Sequence, residues 1–96
     1  MHVLIGADGE LSLEEVDNLK GFSIVETTRG TAAAALSEIG EPAEENHYWL
    51  SAPAIVALSS RKDDQEWVEA FWAMLQKVEA YGFSDMANKR VKAHIE

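Results

Sequence analysis

The segment Thr27-Thr28-Arg29-Gly30-Thr31 joins an expected strand to an expected helix start and is the first place to look for binding chemistry. Free amides at a helix N-terminus attract anions, and threonine hydroxyls and a guanidinium add donors. A small carboxylate or phosphate would suit Thr28, Arg29 and Thr31, with His47 as a proton carrier. The competing reading makes Thr31 a cap, Gly30 a turn residue and Arg29 half of a surface ion pair, and the sequence favours it. No Gly-Lys-Ser/Thr follows a spaced glycine as in a phosphate-binding loop, and Gly6-Ala7-Asp8-Gly9 lacks the spacing of a dinucleotide fingerprint.

Three histidines, His2, His47 and His94, are far apart in sequence. If their strands were neighbours they could converge, with Glu44 or Glu45 beside His47, on a metal or general-base role. Otherwise each is an ordinary strand histidine, and no metal or cofactor is implied. Trp49, Trp67, Phe71, Trp72 and Tyr81 could line an aromatic pocket, but helical spacing makes core and an oligomer interface the preferred reading. The acids Glu14, Glu15, Asp17, Glu41, Glu44 and Glu45 read as a solvated face, and Lys89, Arg90 and Lys92 are the one basic cluster. No nucleophile-elbow glycines, Ser/His/Asp order or framed carboxylate pair is present, and catalysis is not expected.

Those residues need elements to position them. His2 to Ala7 reads as a first strand ending at Asp8-Gly9. A hairpin could return from that turn, but Ser12 and Glu15 have capping-box spacing, with Leu11 and Val16 as the staple, so a helix from Ser12 is preferred. Phe22 to Thr28 follows as the second strand. Thr31 can then cap a helix over 32–39, ended by Gly40 and Pro42. Gly40 to Asn46 reads as a linker-like stretch. His47 to Leu50 is a short third strand, and Ser51 caps a helix from Ala52 to Ser60, a continued strand being the rival.

The clearest element is the helix 64–81, opened by Asp63 and Glu66 and stopped by Gly82. Its apolar residues, including Trp67, Phe71, Trp72 and Leu75, fill an arc of about 180°, where a single covered face needs about 100°. The surplus points to a second layer or a second subunit, with a symmetric dimer the commonest assembly. Residues 90–96 alternate strictly and read as a strand at the sheet's edge, its charges discouraging stray pairing. A helix from Ser84 is the poorer alternative.

The expected fold is α/β or α+β: a small single-layer sheet of about four strands packed by helices, with the long amphipathic helix 64–81 before a C-terminal strand. Ninety-six residues with 47% hydrophobic and 26% charged suit one domain spanning 1–96. Zero cysteines rule out thiol catalysis and disulfide scaffolds. No apolar run approaches the ~20 residues of a membrane helix, and no leader pattern opens the chain, so a cytoplasmic setting is expected. The net charge of −9 disfavours nucleic acid and anionic lipid. It is uneven: −8 over residues 1–60 and −1 over 61–96. The leading expectation is a non-catalytic homodimeric or protein-interaction module. A small-molecule binder or minor enzyme using turn 27–31 is the alternative, and an acidic partner-binding or nucleic-acid-mimic protein the third.

Overall fold

His2–Ile5 forms strand β1, and its period-two pattern buries Val3 and Ile5 while leaving His2 and Leu4 half-buried on the other face. A computed structural model describes all 96 residues. After β1 the chain does not enter a helix. The Gly6 amide donates to Glu10 O (2.8 Å), Gly9 takes φ +85°, and Leu11–Glu14 returns as β2, antiparallel to β1. The capping-box signal at Ser12 and Glu15 therefore loses to the hairpin. All four residues of β2 pair with β1, Leu13 is buried, and Glu15 sits at φ 53°, outside any helix.

Strand β3 (Ser23–Glu26) lies parallel to β1, opposite β2. Helix α1 covers only Ala32–Ala35, against the expected 32–39: the Leu36 and Gly40 amides close turns back to Ala32 O and Leu36 O, and the chain curls into the sheet. The stretch read as a linker is instead β4 (Gly40–Pro42), an edge strand antiparallel to β5 (His47–Ser51). Proline is tolerated there because an edge residue need not donate to a ladder.

Helix α2 (Ala52–Leu58) begins as the sequence indicates: the Ser51 hydroxyl accepts from the Ala54 amide at 3.3 Å, and Pro53 occupies the first turn. Helix α3 (Gln65–Glu79) is capped by Asp64, whose carboxylate accepts from the Glu66 and Trp67 amides. Beyond α3, Gly82 takes φ +83° and the two-residue strand β6 (Ser84–Asp85) precedes β7 (Arg90–Ile95).

The architecture corrects the expected one. The sheet is mixed and has seven strands, not about four, in the order β2-β1-β3-β7-β5-β4, with β6 beside β7. It dominates over three short helices, and β6 rather than α3 leads into the C-terminal strand. Nor is β7 an edge. It pairs with β5 along its length on one side, and on the other with β6 at Arg90 and Val91 and with β3 at His94 and Ile95.

Register puts Val3, Ile5, Leu13, Ile24, Leu50, Val91 and Ala93 on one face, where they are buried with Leu36, Ile55, Trp67, Phe71 and Leu75 of the helical side. The opposite face carries His2, Leu4, Ser23, Val25, His47, Trp49, Arg90, Lys92 and His94, of which only Ser23 is buried. Helices thus cover one face only. No helix is long and apolar enough to cross a membrane.

Candidate functional site

The turn after β3 already contains its own anion. The Ala32 amide at the start of α1 donates to Glu26 Oε2 at 2.8 Å, and the Thr31 hydroxyl donates to Thr28 O at 2.8 Å rather than capping. Gly30 sits at φ +86° and Arg29 is exposed, with no ion pair. Arg29 borders a shallow cavity of about 420 Å³ with Glu26 and Glu96, two carboxylates that work against a bound anion. Thr28 and Thr31 do not line it, and neither does His47.

The histidines are brought into line by strand order. In register across five strands stand Glu14, His2, Ser23, His94 and His47, on β2, β1, β3, β7 and β5. His47 and His94 are direct neighbours with ring centroids 6.1 Å apart. His2 is two strands from His94, about 10 Å at ordinary strand spacing. A single ion cannot bridge that gap, and no three histidine or carboxylate groups are placed to hold a metal. His47 Nδ1 lies 2.8 Å from Glu45 O; a carbonyl only accepts, so Nδ1 is the donor.

Next along the helix-free face is Trp49, opposite Lys92. The Arg90 guanidinium lies 4.4 Å from the indole centroid and Lys92 Nζ 5.1 Å, cation–π distances. Both cations are also neutralised within the chain. Arg90 contacts Glu41 at 2.8 Å and Asp85 at 3.2 Å, and Lys92 pairs with Glu44. Glu41 and Glu44 are therefore ion-pair partners of β7 rather than simply a solvated face.

Three carboxyls are held below their usual range. Hydrogen bonding from Lys92 lowers Glu44, that from Arg61 followed by the Trp67 amide lowers Asp64, and that from Asn88 lowers Asp85. A lowered folded-state pKa stabilises above the unfolded value near 4 and stops doing so as pH falls through the folded one. Asp64→Asn keeps a competent cap but loses the charge pair with Arg61 (2.5 Å). The variant should therefore melt below the wild type at neutral pH, with the gap closing as pH drops below about 4. A gap unchanged in strong acid in a melting series would exclude the ion pair as its source.

The aromatic residues of α3 are used internally. Trp67, Phe71 and Leu75 are buried in the chain's own core, and Trp67 Nε1 donates to Val16 O at 2.7 Å. An interface on those three is replaced by the monomer's interior. Trp72 alone of the four is half-exposed. Tyr81 lies past the helix end and is 76% exposed.

A second cavity, of about 240 Å³, opens between the start of β3, the end of α3 and the middle of β7, and His47 lines it. Lys20, Phe22 and Phe83 also border it, residues whose meeting depends on which strand lies beside which. No family model matches the chain, and no curated protein and no solved structure shows significant similarity to it.

Proposed function

We propose that the chain is a non-catalytic interaction domain that self-associates through the helix-free face of its sheet. The observation that supports it is the bare side of β1, β3 and β7. These strands are mutually parallel, and parallel sheets occur almost only with both faces covered. Leu4, Val25 and Trp49 are left half-exposed there.

Charge favours a second copy as the cover. The Arg90 and Lys92 cations are matched by Glu41, Asp85 and Glu44. With Glu14 also on it, the face sets four carboxylates against two cations, a smaller excess than the −9 of the whole chain, so two copies repel less there than elsewhere. Six strands of three to six residues, at about 3.3 Å per residue and 4.8 Å spacing, present on the order of 400 Å² in projection. Side-chain relief brings that towards the ~800 Å² per partner of a standard interface. A cytoplasmic setting completes this reading and rests on the sequence.

Sedimentation velocity over a concentration series tests it. The wild type should dimerise, and Val25→Arg should weaken the dimer at least about tenfold, a change of about 1.4 kcal/mol. Trp72→Ala, on the helical side, should leave association unchanged. A wild type that stays monomeric at high concentration removes the proposal, and a dimer sensitive to Trp72 rather than Val25 moves the interface to α3.

A further inference from the structure

The geometry points to the notch between β3 and β6 as a binding site for a small monocarboxylate with an apolar body. On one side of β7, pairing with β6 stops at Val91 and pairing with β3 starts at His94. Between them the only added ladder bond is from the Lys92 amide to Phe83 O, at 2.8 Å. The gap leaves a cavity of about 240 Å³, the liquid volume of about eight waters, room for a ligand of roughly ten non-hydrogen atoms.

Its chemistry is two-part. Met74 and Val78 of α3 form an apolar floor, and Phe22 and Phe83 stand on opposite sides. Phe83 is 50% exposed, apolar area that an occupant would cover. The polar lining is cationic or imidazole: Lys20, Lys92, His47 and His94. None of the ten lining residues is acidic, although the chain holds 17 acids. Lys92 is engaged by Glu44, whereas Lys20 makes no ion pair in the fold. Lys20 is therefore the cation with charge to offer a carboxylate, while the aromatic walls take the apolar part. The opposite polarity at the cavity beside Arg29, with its two glutamates, makes the notch the better anion site.

Phenylacetate is a suitable probe and phenylacetamide its uncharged counterpart. Titrating phenylacetate into isotopically labelled Val25→Arg protein, kept monomeric because His47, Lys92 and His94 of the notch also lie on the face proposed to pair, should give saturable amide shifts at Lys20–Phe22, Phe83 and Lys92, one ligand per chain. The amide should bind about tenfold more weakly, since it forfeits a charge-assisted contact. Lys20→Gln and Phe83→Ala should each weaken phenylacetate about fivefold or more. Both residues are exposed, so both variants should keep the wild-type far-ultraviolet spectrum, which is checked alongside. No saturable shift through the millimolar range overturns the proposal, as do shifts confined to residues 27–31 or equal affinity for the amide. Because binding is read on the monomeric variant and self-association on the wild type, failure of the notch and failure of the dimer are separate results.

Discussion

Phe71→Ala is expected to remove about 3–5 kcal/mol of folding stability, the usual loss for a large aromatic truncated in a core. Phe71 is fully buried at the middle of α3, stacked on Trp67 (5.4 Å between centroids, 16° between planes) and edge-on to Trp72 (5.9 Å, 77°). Trp67 is tied by its indole N–H to Val16 O, so the void should collapse only partly. A domain of this size commonly holds about 5–15 kcal/mol. The loss would therefore lower Tm by more than about 12 °C and leave little stability in reserve. Urea or thermal denaturation followed by circular dichroism measures it directly. A loss under about 1 kcal/mol would mean that α3 does not cover the sheet here.

That α3 could be recognised without a structure, and that much of the sheet could not, has a physical cause. An amphipathic helix carries its evidence within itself. Fifteen residues of 3.6-residue periodicity, the Asp64 cap and Gly82 beyond the end all lie in one stretch, as do the Ser51 cap and Pro53 of α2. Strands β2, β4 and β6 have four, three and two residues. They exist only because a distant or hairpin partner satisfies their backbone, so local signals mislead there. Ser12 and Glu15 imitate a helix start, and Pro42 with its flanking acids imitates a linker.

Strand order is the other missing quantity. The alternating charges of β7 suggested an edge, but alternation reports one uncovered face, and an uncovered face is equally available to a central strand. The same gap explains the site. Arg29 and His47 open onto different cavities, although Asn46 and Tyr48, on either side of His47, line the one beside Arg29. The histidine row and the meeting of Lys20, Phe22 and Phe83 arise only once β3 and β6 share one side of β7.

Gly40→Ala carries the second large effect, through a contact too close for any side chain. A Cβ at residue 40 would stand 2.3 Å from Trp49 O and 2.7 Å from Leu50 Cδ2. The leucine could turn aside, but the carbonyl belongs to the backbone of β5, and β4 must move away from it. Overpacking of this kind costs about 1–3 kcal/mol and occasionally more. Gly21→Ala is the matched control, because nothing lies within 4 Å of a Cβ there. It should be neutral or slightly stabilising.

The loss at Gly40 should be local first. Hydrogen exchange should quicken at the Ser51 amide, bonded to Ile39 O at 2.7 Å, and at the Ala43 amide, bonded to His47 O at 2.9 Å. It should also reach the helix-free face. Glu41, beside the substituted residue, holds Arg90 at 2.8 Å, and Arg90 lies over Trp49. Displacing β4 withdraws that carboxylate and leaves Arg90 with Asp85 alone, so the face gains positive charge and the Trp49 stack loosens. If two copies meet on this face, Gly40→Ala must weaken their association as well as stability, although residue 40 sits on the core side of an edge strand. A variant that is destabilised yet dimerises like the wild type would separate β4 from the interface. One as stable as the wild type would show that β4 does not lie against Trp49.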